Sequence, residues 1–128
     1  MKIFIDSAVR EAIEHAAKLG FVRRKNLFQI AIPIFYEDGD MVDVYLEVSP
    51  ENKDKLKITD CGMTLMRLSC TYEINSPARE EIFSELLKQN EVKFEAGVLY
   101  LDIKLEFIYK NIMQFIGCQQ KIYAMRLR

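Results

Sequence analysis

The acidic side chains in the middle of the chain, with two lysines among them, are the residues best suited to chemistry on a phosphodiester. Metal-dependent nucleases of the restriction-enzyme type hold a divalent cation with an acid on one strand and an acid-x-lysine pair on the next. Asp43, Glu47 and Asp60, together with Lys55 and Lys57, offer these residue types. The acid-x-lysine pair is missing at both Glu47 and Asp60. The sequence therefore favours a solvated strand face, with a divalent-metal-dependent nuclease or related hydrolase as the alternative.

The cysteines and the single histidine predict neither a zinc site nor a catalytic dyad. Zinc sites use closely spaced pairs of ligands, whereas Cys61 and Cys70 are nine residues apart and His15 has no potential ligand at a suitable spacing. Nothing in the sequence brings His15 close to Cys61. We therefore expect no catalytic residue, no metal site and no cofactor, and we expect all three cysteines, including Cys118, to be small buried hydrophobes.

Charge is balanced in total but unevenly distributed along the chain. The formal net charge of -1 gives no general argument for nucleic-acid binding. A basic run at 23–25 could contact a phosphate backbone. The stretch 37–54, with seven acids and one lysine, could imitate nucleic acid or bind a basic partner in a salt-sensitive interaction. The candidate binding residues are Arg23, Arg24, Lys25, Glu37, Asp38, Asp40, Asp43, Glu47 and Asp60.

Hydrophobic periodicity predicts a helix and then a hairpin in the first half of the chain. Apolar residues at three-to-four spacing predict a helix over residues 7–19, which Gly20 ends. Two β-rich runs, 27–36 and 41–48, flank an Asp-Gly pair, which is a strong hairpin signal. A third strand is predicted over 55–60.

The tripeptide Asp60-Cys61-Gly62 predicts a sharp corner between this third strand and a short helix. Gly62 allows the backbone to turn, because glycine adopts conformations that other residues avoid. The Asp60 carboxylate can accept hydrogen bonds from the free amides at the start of the next helix, where its charge also suits the helix dipole. We therefore expect Asp60 to have an architectural role.

The last third of the chain predicts two helices around a second hairpin. The predicted elements are a helix over 77–89 capped by Ser76, strands over 92–95 and 98–103, and an apolar helix over 105–115. Beyond Gly117, the tail at 118–128 alternates like a strand but could equally continue the helix.

These elements predict one α+β domain over residues 1–128, with an N-terminal helix, an antiparallel sheet of about five short strands built from two hairpins, and two or three further helices packed on it. The final helix is apolar on more than one face, so it lies in the core or partly covers a second copy in a homodimer. No apolar run approaches the roughly 18 residues of a membrane span, and no secretory signal opens the chain. We therefore expect a cytoplasmic protein without membrane contact.

Two stretches, ITDCGMTLMRL and INSPAREEIFSELLKQNEVKFEAGVLYLDI, carry a resemblance to a known family. Over about residues 27–118, the chain resembles the uncharacterised bacterial and prophage family called domain of unknown function 1828. The matching positions are Ile58, Thr59, Asp60, Gly62, Thr64, Leu65, Leu68, Arg79 and Leu86. Where the family often has a second acid after the aspartate, this chain has Cys61, which weakens a metal site at the corner. The resemblance implies no established activity, but it does imply a phage or mobile-element setting.

The function expected from these features is binding without catalysis. Small proteins encoded by mobile elements often bind and block host defence machinery, so we expect a phage- or prophage-encoded protein that occupies a protein or nucleic-acid-handling partner in the bacterial cytoplasm. The nuclease or hydrolase is the first alternative. The second is a DNA-binding accessory module of a toxin–antitoxin-like system, which would use Arg23, Arg24 and Lys25.

Overall fold

A computed structural model describes residues 22–24, 26–49, 51 and 55–127, which form an antiparallel sheet with three helices packed on one face. The strands are β1 (Val22–Arg24), β2 (Leu27–Gln29), β3 (Tyr45–Val48), β4 (Leu56–Thr59), β5 (Lys93–Glu95) and β6 (Val98–Ile103). The helices are α1 (Met63–Ser69), α2 (Pro77–Gln89) and α3 (Ile108–Tyr123), with 3-10 turns at Leu105–Phe107 and Ala124–Leu127. The predicted helix over 7–19 lies outside the described residues.

The α+β class predicted from the sequence is confirmed. The strand order in the described sheet is β1-β2-β3-β4-β6-β5, and every neighbouring pair is antiparallel. The sheet has six described strands where about five were expected, because the short strand β1 precedes the first predicted one. Helix α2 begins at Pro77 after the Ser76 cap and ends at Gln89, as the sequence predicts.

The first hairpin extends beyond the regularly paired strands β2 and β3. Pairing between β2 and β3 ends at Gln29 and Tyr45, and a single bridge between Phe35 and Met41 closes the far end. Pro33 lies between these two paired regions and has no backbone N–H to give to a ladder. We call residues 30–44 the acidic arm, because this irregular part of the hairpin carries four of the candidate acids.

Side chains on the strands alternate between the two faces of the sheet. Leu46 pairs with Ile58, and Ile58 pairs with Leu101, so these buried side chains line up on the face that the helices cover. On the other face, Glu47 pairs with Lys57 across β3 and β4, and the side chains of Leu27 and Tyr45 are buried there as well. This second face therefore carries both charged and buried apolar residues.

Helix α3 extends into the tail at 118–128, which the sequence predicted to be either a strand or a continuation of the helix. It continues past Gly117 to Tyr123 and then tightens into a 3-10 turn. The buried side chains Phe115, Ile116 and Ile122 stabilise it against the core and outweigh the cost of a glycine inside a helix. Among the described residues, no helix has the length and apolar character needed to cross a membrane.

The expectation that all three cysteines are buried is wrong for two of them. Cys61 and Cys70 are exposed because they lie in the turns before and after the short helix α1. Cys118 is buried on the inner side of α3, and burial raises the pKa of its thiol to about 11. The exposed face of the same helix carries Tyr109 and Met113, and the homodimer stays a prediction.

Candidate functional site

Asp60 is fully buried at the corner between β4 and α1, where backbone amides surround its carboxylate. Its Oδ1 accepts hydrogen bonds from the amides of Gly62 at 2.8 Å and Leu99 at 3.0 Å, and its Oδ2 accepts one from the amide of Thr64 at 3.1 Å. Hydrogen bonds to an ionised carboxylate are stronger than those between neutral groups. Asp60 therefore fastens the start of α1 and the neighbouring strand β6 to one point.

The predicted hydrogen bonds from the first amides of the helix to Asp60 are confirmed. The carboxylate accepts amides at the start of the helix, although α1 has Gly62 at its cap position and Asp60 lies two residues earlier. The backbone turns through Cys61 and Gly62, with φ angles of 54° and 82°. The bond to Leu99 could not be predicted, because that residue lies 39 positions further along the chain.

Arg67 of α1 binds three acids of the acidic arm with three different nitrogens. Its Nε donates to Asp43 at 3.1 Å, its Nη2 to Asp40 at 3.1 Å and its Nη1 to Asp38 at 3.4 Å. Partial burial alone would lower the pKa of Arg67, but the hydrogen bonds to Asp43 and Asp40 outweigh it and raise that pKa. Arg67 is thus a cationic anchor that holds the arm against α1.

Two tyrosines and a second arginine extend this anchor to the end of α3. The guanidinium of Arg67 lies 4.4 Å from the ring centre of Tyr36, whose ring meets the ring of Tyr123 edge-on at 5.0 Å. The guanidinium of Arg126 lies 4.1 Å from the Tyr123 ring and also binds Glu37. We call these four residues the arginine–tyrosine stack; cation–π and edge-to-face contacts hold it together.

Three of the four arm carboxylates remain exposed although each of them is paired with one arginine, Arg67 or Arg126. The side chains of Glu37, Asp38 and Asp40 are 79%, 57% and 63% exposed, whereas that of Asp43 is 11% exposed. Four carboxylates share two guanidinium groups, so the arm keeps an excess of negative charge. Phe35, on the same arm, is 57% exposed. The arm therefore presents fixed negative charges beside an aromatic ring.

A buried amide joins the arm to the centre of the molecule. Gln119 of α3 is fully buried, and its Nε2 donates to the main-chain oxygen of Asp43 at 2.8 Å and to the Thr64 hydroxyl at 3.2 Å. Burial, and then the charge of Asp43, raises the pKa of the nearby Tyr36 to about 12. The arm is therefore attached to α1 by Arg67 and to α3 by Gln119.

The remaining candidate residues lie elsewhere. Glu47 is on the face of the sheet opposite the three helices, 4.0 Å from Lys57, and is separate from the arm. Arg23 and Arg24 belong to the edge strand β1, and Lys25 lies outside the described residues. Within the described ranges, no three acidic, cysteine or histidine side chains are grouped so that they could hold a metal ion.

The residues that hold the site together were missed by the sequence analysis. They are Tyr36, Arg67, Gln119 and Tyr123. One signal was available, because Gln119 lies four positions after Phe115 and thus on the inner stripe of an apolar helix, where a polar residue needs a partner. Arg67 and the two tyrosines gave no such signal.

Comparison with known proteins gives one match. Residues 32–122 match the model of a family described as Domain of unknown function DUF1828. The matched region contains Asp43, Asp60, Arg67 and Gln119 and excludes the basic run at 23–25. No curated protein and no solved structure matches the chain.

Proposed function

We propose that this chain, which belongs to the DUF1828 family, is a non-catalytic binding protein whose acidic arm occupies a basic surface of a protein partner. The observation that carries the proposal is the set of exposed carboxylates on Glu37, Asp38 and Asp40, which two arginines hold in fixed positions. Negative charges at fixed positions are complementary to a surface that binds phosphates, and they steer association with such a surface.

The arginine–tyrosine stack supports this proposal through preorganisation. Long or mobile acidic side chains lose conformational freedom when they bind, and this loss reduces affinity. On the arm, Arg67 and Arg126 have already restricted the carboxylates before any partner arrives. Phe35 adds an exposed aromatic side chain that a partner could bury. The surface therefore combines fixed charge with an apolar contact.

The two buried acids support binding over catalysis. A metal-dependent nuclease would use Asp43, Glu47 or Asp60 to hold a cation. Instead, Asp43 is bonded to Arg67, and Asp60 accepts three backbone amides. These hydrogen bonds compete with a cation for the same carboxylates.

The class of partner follows from the arm's charge and from the setting implied by the family resemblance. We propose a nucleic-acid-handling protein of a bacterial host, such as a defence enzyme, whose phosphate-binding surface the arm blocks. In this proposal the chain is encoded by a phage or prophage and acts in the host cytoplasm.

The arm is tested with a fluorescent nona-arginine peptide as the basic probe. We expect the triple variant Glu37→Gln, Asp38→Asn, Asp40→Asn to bind the peptide about tenfold more weakly, because three exposed charges of a few tenths of a kcal/mol each are removed. Its affinity should also depend less on sodium chloride. Fluorescence anisotropy at low and high salt measures both effects.

The matched control removes three exposed acids from α2 by Glu80→Gln, Glu81→Gln, Glu85→Gln. This control changes the net charge equally and should alter affinity much less than the arm variant does. Equal losses in the two triple variants would show that the peptide responds to net charge alone, and the arm would not be a binding surface.

A further inference from the structure

Strand β5 is the last strand at one edge of the described sheet and pairs there with β6. Its three residues, Lys93, Phe94 and Glu95, are all exposed. An edge strand presents a row of backbone N–H and C=O groups that another strand can join. What can join β5 therefore depends on the direction of its backbone groups and on its side chains.

The turn between β5 and β6 sets the direction of the backbone groups in β5. Ala96 and Gly97, with φ angles of 50° and 81°, form a two-residue turn closed by the pair Glu95–Val98. In such hairpins the closing pair is hydrogen-bonded, and successive pairs of an antiparallel ladder alternate between hydrogen-bonded and non-hydrogen-bonded. The next pair, formed by Phe94 with its partner in β6, is therefore not hydrogen-bonded.

The contacts of Leu99, the residue paired with Phe94, agree with this alternation. The amide of Leu99 donates to Oδ1 of Asp60 at 3.0 Å, and its main-chain oxygen accepts from the amide of Asp60 at 3.2 Å. Both groups of Leu99 thus point toward the end of β4 and away from β5. Because the two residues of such a pair direct their backbone groups away from each other, those of Phe94 point outward from the sheet edge.

The side chains of β5 place an aromatic ring on one face and opposite charges on the other. Phe94 lies on the face that the helices cover, where its ring meets the Phe83 ring of α2 edge-on at 5.1 Å, and it is 39% exposed. Lys93 and Glu95 lie on the opposite face, where Lys93 also pairs with Asp102 at 3.0 Å. The order lysine, phenylalanine, glutamate is complementary in charge to the same order read in the reverse direction.

We propose that β5 pairs in antiparallel orientation with β5 of a second copy of this chain, about a twofold axis at Phe94. Each Phe94 donates its N–H to the main-chain oxygen of Phe94 of the partner subunit, and the exposed parts of the two rings are buried against each other. The same register places each Lys93 opposite Glu95 of the partner subunit. The sheet then continues from one copy into the other.

The charges select this register over the alternatives. In a parallel, in-register pairing, Lys93 would face a second lysine and Glu95 a second glutamate, and like charges directly opposite each other are destabilising. A lysine on an edge strand usually opposes pairing between edges, but a glutamate two residues later makes the antiparallel pairing attractive. Strand β1, with the sequence VRR, has two arginines and no acid and lacks this complementarity. The proposed interface involves neither α3 nor the acidic arm.

Sedimentation equilibrium at protein concentrations up to about 1 mM measures this association. We expect reversible dimers of the wild type, and we expect Lys93→Glu and Glu95→Lys each to lower the association constant about tenfold, because each places two like-charged pairs at the interface. The matched controls Lys110→Glu and Glu73→Lys reverse exposed charges outside β5 and should leave the constant unchanged. A monomeric wild type, which would leave the edge to an extended segment of another protein, would overturn the proposal, as would equal losses in the controls.

Mixing the two β5 variants tests the register itself. A heterodimer of Lys93→Glu with Glu95→Lys has two acids on one strand facing two lysines on the other, so the equimolar mixture should dimerise at least as tightly as the wild type. A defect in the folding of either variant could not be repaired by mixing. A mixture that associates as weakly as the separate variants would rule out the antiparallel pairing about Phe94.

Discussion

Replacing Asp60 by alanine should lower the free energy of unfolding by about 4 kcal/mol, the largest loss that we expect from one substitution in this chain. The change removes a buried carboxylate that accepts three backbone amides, and it leaves the amides of Gly62, Thr64 and Leu99 without that acceptor. Asp60→Asn keeps the shape but turns an N–H donor toward one or more of these amides, so it should lose about half as much. Urea unfolding followed by circular dichroism measures each loss.

Asp102 provides the control for this substitution. Its carboxylate lies 3.0 Å from Lys93 on the sheet surface and is 60% exposed. Asp102→Ala should cost less than about 1 kcal/mol, because exposed ion pairs contribute little. If Asp60→Ala cost no more than Asp102→Ala, Asp60 would not be the fastening point of the β4–α1 corner.

Replacing Arg67 by methionine should lower the free energy of unfolding by about 3 kcal/mol. Methionine keeps most of the apolar stem but leaves Asp43 mostly buried without its cation, and it leaves Asp38 and Asp40 facing each other without the shared positive charge. Arg67→Lys should recover part of this loss, since one ammonium cannot reproduce three separate guanidinium contacts. The same unfolding measurement applies, and a constant m-value would show that the denatured state is unchanged.

Arg79 is the matched control because it also stacks on a tyrosine. Its guanidinium lies 4.4 Å from the ring centre of Tyr72 and donates to the main-chain oxygen of Glu73 at 2.8 Å, but it binds no carboxylate among the described residues. Arg79→Met should therefore cost about 1 kcal/mol. Equal losses for the two arginines would mean that the acidic arm does not depend on its contact with Arg67.

Features controlled by neighbouring residues could be predicted from the sequence. Ser76 followed by Pro77 sets the start of α2, and the Ala96-Gly97 pair forms the turn between β5 and β6 with φ angles of 50° and 81°. The corner after Asp60 was recognisable for the same reason, because its amide partners at Gly62 and Thr64 are close in sequence. Hydrogen bonds between residues that are close in sequence can therefore be recognised from the sequence itself.

Features that depend on distant residues could not be predicted. Arg67 is 24 positions from Asp43 in the sequence. The ring of Tyr36 contacts the ring of Tyr123, which lies much further along the chain. Nothing in the spacing of these residues selects one arginine or tyrosine over the others, because packing of the arm against α1 and α3 selects them. Gly117 suggested that the last helix could end there, because glycine often ends a helix. The helix continues because the burial of its side chains in the core outweighs the cost of a glycine within it.

Whether Asp43 and Asp60 serve the fold alone is tested most directly by titrating isotope-labelled protein with manganese chloride and following amide line widths by NMR. We predict that in sodium chloride the amides beside Asp43 and Asp60 keep their line widths, because Arg67 and three backbone amides already bind these carboxylates. Any weak broadening that spreads from manganese at the exposed acids at 37–40 should be abolished by the salt. Saturable broadening around Asp43 and Asp60 that persists in salt would show that they hold a cation, and it would contradict a purely architectural role.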